Sequence, residues 1–252
     1  MRWDRSRGIG FAMIAALLLL AAPPLVPAQP DSEPAVIFLL GAAPSPKFVD
    51  AVKDCDYLKS DIYLIENLPD DIDLTSYDLV FIDWLWKMTP NLERLTSLID
   101  LAKADDVTVI VRKTYYIAPP EEIGNVDPGE HPWIGEYWEN INDENARNLL
   151  IYLGANFLGL AGVPEEPVTL PHEGIYHPDA ERVFGDLGSY LEWYDYDPDK
   201  PTIGILFHET NYIKRGPDVE DSLIRAFEER GVNVVAYYYP HSGRPDLDNF
   251  LI

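Results

Sequence analysis

The chain has 252 residues, of which 19 are Lys or Arg and 43 are Asp or Glu, so its formal net charge is -24. This balance excludes nucleic acid as an expected partner, because phosphate binding needs clustered Lys and Arg and the sequence has no such cluster. The single cysteine, Cys55, excludes an internal disulfide, so the fold must depend on an ordinary apolar core.

The first 28 residues have the composition of a secretory signal. Three arginines precede an apolar run from Gly8 to Ala22, and small residues and prolines follow as far as Ala28. The apolar run is shorter than the roughly 20 residues that a bilayer-spanning helix needs. We therefore expect residues 1–28 to be a signal peptide or, alternatively, an uncleaved anchor, and the protein to be exported or membrane-tethered.

Residues 35–118 alternate between strand and helix patterns. Apolar runs predict strands, and apolar residues at three- and four-residue spacing predict helices. The predicted strands are 35–40, 62–65, 79–82 and 107–111, and the predicted helices are 46–55 and 92–102. Such alternation is typical of a parallel sheet covered on both faces, so we expect a flavodoxin-like or Rossmann-like α/β domain here.

Residues 119–200 are expected to be a helical and loop connector. A loop over 117–135 is rich in Pro, Gly and acidic residues, and a second irregular stretch covers 161–180. Between them, residues 143–160 form a predicted helix whose apolar residues lie on one stripe. A shorter helix is predicted over 182–194.

The last part of the chain, residues 201–252, has the pattern of a second α/β unit. A strand over 202–207, a loop over 208–217, a helix over 218–230 and a strand over 232–239 predict a βαβ arrangement. The helix is predicted to bury Val219, Leu223, Ala226 and Phe227. Two strands cannot form a covered parallel sheet alone, so we expect this unit either to share the first sheet or, the interpretation we favour, to be truncated.

Several segments of this region resemble one protein family when they are taken in order. They are EYW at 136–138, NARNLL at 145–150, GIYHPD at 174–179, YLEWY at 190–194, PTIGILF at 201–207, LIRAFEERG at 223–231 and NVVA at 233–236. Together they resemble the large subunit of cobaltochelatase, in the family that includes the magnesium-chelatase H subunit. The resemblance covers about residues 133–240, which is an amino-terminal portion of a much longer family protein.

The resemblance implies insertion of a divalent metal such as cobalt or magnesium into a tetrapyrrole, either a corrinoid or a porphyrin, in cobalamin-type cofactor biosynthesis. In the family, ATP is hydrolysed by separate partner subunits. The chain itself has neither a G-x-x-x-x-G-K-[ST] nor a G-x-G-x-x-G pattern, so we expect ATP to act only through such partners. We do not expect this chain alone to be an active chelatase.

Polar residues directly after the 202–207 strand are the best-placed candidates for chemistry, because ligands bind outside the carboxyl ends of strands in open α/β sheets. The hypothesis assigns His208 as metal ligand or base and Glu209 as proton acceptor, with Thr210 and Asn211 as ligand-binding residues. His241, near the end of the last strand, is a further candidate. The alternative is a hydrogen-bonded turn without chemistry.

His172 and His177 form a second cluster with the chemistry of metal ligands, together with Glu173 and Asp179. Their spacing matches no tight zinc pattern, and neighbouring prolines place both histidines in loops, so a solvated loop is the alternative. Two other functions also stay open. One is an exported, non-enzymatic corrinoid- or metal-binding module, and the other is a hydrolase with paired carboxylates.

Overall fold

The computed structural model describes residues 33–41, 44–84, 92–112 and 120–240. The predicted signal, residues 1–28, and the candidate His241 lie outside these ranges. Among the residues that are described, no helix has the length and apolar character needed to cross a bilayer.

The first sheet has four parallel strands, as the sequence predicts. They are β1 (Ala35–Leu40), β2 (Lys59–Leu64), β3 (Leu79–Asp83) and β4 (Thr108–Arg112), and their order across the sheet is β2-β1-β3-β4. The inner strands are rich in Val, Ile, Leu and Phe because both of their faces are buried.

Helices cover both faces of this sheet. On one face lie α1 (Pro46–Lys53), α4 (Pro132–Glu139) and α5 (Asp143–Phe157), and on the other lies α2 (Leu92–Ala104). Alternate residues of β1 enter the two cores, with Phe38 on the α1 face and Leu39 on the α2 face. The predicted α/β fold class is confirmed.

The structure adds two helices within the predicted loop over 117–135. α3 (Pro120–Ile123) is a single turn, and α4 begins at Pro132, where proline is favourable because its missing N–H is not needed in the first helical turn. α5 buries the predicted apolar stripe but ends at Phe157, since Gly159 adopts a left-handed φ of 67°.

The second sheet has three strands, β5 (Gly174–Tyr176), β6 (Thr202–His208) and β7 (Asn233–Tyr239), in the order β5-β7-β6. β6 and β7 are parallel and are connected by α7 (Asp218–Glu228), as predicted. β5 is antiparallel to β7 and was not predicted, because three residues are too few for a periodic pattern. α6 (Leu187–Tyr194) begins later than the predicted residue 182, at a cap formed by Asp186.

The predicted burial on α7 is partly wrong. Val219 and Leu223 are 69% and 42% exposed, whereas Ile224 and the polar Glu220 are buried. α7 packs mainly against β7, beside the edge strand β6, and Val219 and Leu223 lie on the side of the helix that this small sheet leaves exposed. An apolar stripe identifies a face of a helix, but its burial depends on how far the sheet extends beneath it.

The two units share one core. A π-helical turn, Asn211–Arg215, follows β6, and its residues Tyr212 and Ile213 pack with α1, α4 and α5. Lys47 Nζ on α1 also donates to the Ile213 carbonyl at 3.4 Å. Helices α4 and α5, from the predicted connector, thus belong to the core of the first sheet.

Candidate functional site

Residues from both polar clusters predicted from sequence lie at the same edge of the second sheet. His208 is the last residue of β6 and pairs with Tyr239, the last residue of β7. Since Gly174 of the antiparallel β5 pairs with Tyr238, the residues preceding Gly174 also reach the carboxyl end of β7. The register of β5 therefore brings the 172–173 segment to the 208–211 segment.

A direct contact joins the two segments. His172 Nδ1 lies 2.8 Å from Glu209 Oε2, and the two side chains are 43% and 20% exposed. A carboxylate only accepts hydrogen bonds, so Nδ1 carries the proton and Nε2 of a neutral His172 carries a lone pair. The pair is an imidazole oriented by a carboxylate, an arrangement that can accept a proton at Nε2 and stabilise the resulting cation.

His208 is held by the loop that follows it. Its Nδ1 accepts from the Thr210 backbone N–H at 3.1 Å and lies 2.9 Å from Thr210 Oγ1. The ring packs against Tyr239, with 5.9 Å between ring centroids. Thr210 is thus a residue that orients His208, and the ring remains at the carboxyl edge of the sheet.

Asn211 connects this loop to α7. Its Nδ2 donates to Glu220 Oε1 at 2.8 Å, and Glu220 is only 6% exposed. This bond explains why a glutamate is buried on α7. The described contacts of Asn211 are therefore those of a residue that fixes the loop.

Two tyrosines of β7 donate hydrogen bonds to the residues on either side of His172. Tyr237 Oη donates to Glu173 Oε2 at 3.2 Å, and Tyr238 Oη donates to the Pro171 carbonyl at 3.0 Å. Burial raises the pKa of Tyr238, and the negative charges of Glu209 and Glu173 add to the shift. Tyr238 is consequently a neutral hydrogen-bond donor that holds the segment leading to His172.

His177 lies apart from this edge, in the aromatic core of the second unit. It is 3% exposed, its Nε2 lies 3.0 Å from Glu228 Oε1, and its Nδ1 accepts from the Asp179 N–H at 3.1 Å. The rings of Trp193 and Tyr194 pack around it. Both ring nitrogens are occupied by protein groups, so we do not include His177 in the site.

Three asparagines that the sequence did not single out position the segment before His172. Asn145 Oδ1 accepts from the Val168 N–H at 2.9 Å, and its Nδ2 donates to the Val168 carbonyl at 2.7 Å. Asn140 and Asn148 bind the N–H groups of Leu170 and Glu165 in the same way. Asn145 and Asn148 could have been recognised from sequence, because they interrupt an apolar helical face and a buried polar side chain needs a hydrogen-bond partner.

The site is not a preformed metal centre within the described ranges. No group of three or more His, Cys, Asp or Glu side chains is arranged there to hold a metal ion. The pair of His172 and Glu209 provides one nitrogen and one oxygen ligand, which suits partial coordination of a divalent ion by the protein. Such a pair can contact a metal whose other ligands come from a second molecule.

The comparison with protein families gives this geometry its context. The family model described as CobN/Magnesium Chelatase matches residues 135–252. Residues 135–252 are therefore similar to the CobN/magnesium chelatase family. The match contains the whole His172–Glu209 edge and confirms the resemblance seen in the sequence, so the chain contains a component similar to the large subunits of cobalt and magnesium chelatases.

Individual relatives extend the comparison. An uncharacterized protein of Methanocaldococcus jannaschii is 34% identical over 98 residues, which are 38% of this chain and 8% of the relative. The magnesium-chelatase H subunit of Chlorobaculum parvum is 29% identical over 107 residues, which are 40% of this chain and 8% of the relative. The chain thus spans about 8% of the length of these curated relatives.

A solved structure supports the fold over a larger part of the chain. The catalytic subunit of cobaltochelatase from Mycobacterium tuberculosis superposes with a TM-score of 0.51 and 19% sequence identity. The alignment covers 86% of this chain and 17% of that chain. The first sheet, which lies largely outside the family match, is therefore included in the shared architecture.

Proposed function

We propose that the chain is a component of a metal chelatase that binds a tetrapyrrole and a divalent metal ion at the carboxyl edge of its second sheet. The observation that carries this proposal is the contact between His172 and Glu209, which lies within the family match. ATP acts through partner subunits in this proposal, because the sequence has no phosphate-binding loop of its own.

The chemistry requires removal of two pyrrolic protons before the metal can occupy the macrocycle. His172 Nε2 accepts the first proton, passes it to the solvent to which its side chain is exposed, and then accepts the second. The electron pair of each broken N–H bond stays on its pyrrole nitrogen, and Glu209 stabilises the imidazolium. These nitrogen electron pairs then bind the metal. His208, at the end of the neighbouring strand, is the proposed metal ligand, and Thr210 fixes its orientation.

The test is a titration of the full-length protein with a free-base porphyrin and a cobalt-free corrinoid. Binding is followed by Soret-region absorbance for the porphyrin and by tryptophan quenching for both ligands. We expect saturable binding with a Kd of about 10 μM or tighter. His172→Gln and Glu209→Gln should each slow proton-coupled metal insertion in the presence of partner subunits by about 10²-fold or more.

His131→Gln is the matched control, because His131 packs with Tyr152 and Phe157 on the first core. The proposal fails if a folded sample binds neither macrocycle, or if the His172 and His131 variants insert metal at the same rate. A sample that binds a macrocycle but supports no insertion with partner subunits would indicate the non-enzymatic binding module instead.

Export or membrane tethering is part of the proposal. It rests on the order of basic, apolar and small residues in 1–28. Intact mass measurement of protein from the envelope fraction should show loss of residues 1–28, or retention of them in membranes if the segment is an anchor. Recovery of the uncleaved chain from the cytoplasm would contradict both export and membrane tethering.

A further inference from the structure

The outer edge of β6 is open in the second sheet. Among the described strands β6 pairs only with β7, through hydrogen bonds such as that from the Asn233 N–H to the Pro201 carbonyl at 2.8 Å. Successive strand residues direct their backbone groups to alternate sides, so the N–H and C=O groups of Thr202, Gly204 and Leu206 point away from β7. No described residue binds these outward groups.

The other edge strands of the described sheets are protected against pairing with a further strand, by devices that β6 lacks. On β4, Asn125 binds both the N–H and the C=O of Val109. β2 carries the charged Lys59 and Asp61, and β5 has only three residues and forms a bridge to Phe184. β6 has seven residues, and none of them is Lys, Arg, Asp or Glu. An edge of this kind is a template for a strand of another chain.

The exposed apolar side chains of α7 lie on the same side of the unit as this edge. Asp221 Oδ1 accepts a hydrogen bond from Tyr176 Oη at 2.8 Å, so one side of α7 faces β5. At 3.6 residues per turn, Val219 and Leu223 each lie about 160° around the helix from Asp221. Both side chains therefore face the β6 side, where they are 69% and 42% exposed.

Apolar side chains continue this surface along β6 itself. Ile203 and Ile205 are half-buried on the α7 face, and Leu206 is 51% exposed on the opposite face. Together with Val219 and Leu223 they form an apolar strip, which we call the β6 edge strip. In a chain with a formal net charge of -24, two copies meet the least repulsion where they approach through uncharged surface.

We propose that the β6 edge strip pairs with the same strip of a second copy of this chain, with the two β6 strands antiparallel about a twofold axis. When Ile205 lies opposite its own copy, Gly204 lies opposite Leu206, and the outward N–H and C=O groups of both residues bind across the axis. An added side chain at Gly204 would meet nothing within 4 Å, so this position has space for the exposed Leu206 of the second copy. On the α7 face, Ile203 lies opposite Phe207, which is a favourable cross-strand pair.

The size of the strip is sufficient for a weak dimer. The seven residues of β6 span about 23 Å at about 3.3 Å per residue. The strip is about 20 Å wide, because it crosses one helix layer and one strand layer of about 10 Å each. Two copies would bury about 1,000 Å² in total, which is the lower limit of a specific interface. This interface does not depend on the proposed chelatase function.

The first test is sedimentation velocity of the full-length protein over a concentration range of about 1–200 μM. We expect a monomer–dimer equilibrium with a Kd of about 10–100 μM. Leu206→Lys should raise this Kd by about tenfold or more, because each strand then presents a charge to the pairing edge. Leu101→Lys is the matched control, since Leu101 is 60% exposed on α2, and it should dimerise as the unmodified protein does.

The second test examines the register through disulfide formation in a Cys55→Ser background, which removes the single native thiol. In Ile205→Cys the two cysteines lie directly opposite, with about 4.5 Å between their Cα atoms, which is within the range of a disulfide. In Ile203→Cys they are about 13 Å apart along the strands, which is too far. Mild oxidation should therefore give a covalent dimer of the first variant and leave the second monomeric.

Three results would overturn the proposal. One is a folded, full-length protein that stays monomeric over the whole concentration range, including a protein that dimerises only after deletion of residues 241–252, which would show that this segment occupies the edge. Another is equal dimerisation of the unmodified protein and Leu206→Lys, which would place the interface elsewhere. The last is a covalent dimer of Ile203→Cys without one of Ile205→Cys.

Discussion

Asn145 is the position where a small change should affect both stability and the site. Its side chain is completely buried and makes three hydrogen bonds, to the Asn140 carbonyl at 2.7 Å and to the carbonyl and N–H of Val168 at 2.7 and 2.9 Å. These bonds hold the extended 165–170 segment against α5. In Asn145→Ala all three backbone groups lose their partner.

The loss of stability in Asn145→Ala depends on how much water enters the space left by the side chain. A hydrogen bond that is replaced by water costs about 0.5–1.5 kcal/mol, whereas a buried group left without a partner costs about 1–3 kcal/mol. For three bonds with partial rehydration we expect the free energy of unfolding to fall by about 3–5 kcal/mol. Because the segment leads directly to His172, macrocycle binding should weaken in the same variant while it is still folded.

Urea unfolding followed by tryptophan fluorescence measures the first effect, and the porphyrin titration measures the second. Asn156→Ala is the matched control, since Asn156 is exposed on the same helix and its amide donates to the Tyr152 carbonyl at 2.9 Å. The control should lose less than about 1 kcal/mol. A loss below about 1 kcal/mol in Asn145→Ala would refute the assignment of Asn145 as the clamp of this segment.

Two further predictions concern the second unit. Ile224→Ala on α7 removes a fully buried side chain and should lower the free energy of unfolding by about 2–4 kcal/mol. Leu223→Ala, at a 42% exposed position one residue earlier, should lower it by less than about 1 kcal/mol in the same urea titration. Similar losses in the two variants would show that α7 packs in another orientation. Burial raises the pKa of Tyr190, and the nearby Tyr194 and Glu228 add to the shift. The folded state therefore favours the neutral phenol, and this contribution to stability is fully present below the ordinary tyrosine pKa near 10. It is lost as the pH rises above 10. Tyr190→Phe should reduce the slope of stability against pH above pH 10 by about 1.4 kcal/mol per unit, and parallel curves for the two proteins would contradict the assignment.

The sequence predicted strands β1, β3 and β4 well because they are buried on both faces. Each of the strands β1, β3 and β4 has a continuous apolar run, and the α5 stripe has an unambiguous helical period. The order and spacing of apolar residues therefore located these elements to within a few residues. The short β5 has no such run, and only its pairing with β7 makes it a strand.

The site was predicted in two separate parts. His208 and Glu209 follow a recognisable strand, and His172 was visible as a metal-ligand type, but their contact depends on the register of β5, which local sequence does not encode. The hydrogen bonds of Asn211 and His177 were also not predicted. Their partners, Glu220 and Glu228, both lie on α7, and Glu228 is 51 residues from His177.

The core shared by the two units has a consequence for any attempt to produce them separately. A fragment ending near residue 118, where the sequence predicts the first domain to end, would lose α4, α5 and Ile213, which cover one face of its sheet. The exposed Phe38, Phe48 and Phe81 would then promote aggregation of that fragment. We therefore expect a stable fragment that contains the first sheet to extend through the π-helical turn, and limited proteolysis should release no stable fragment that is shorter.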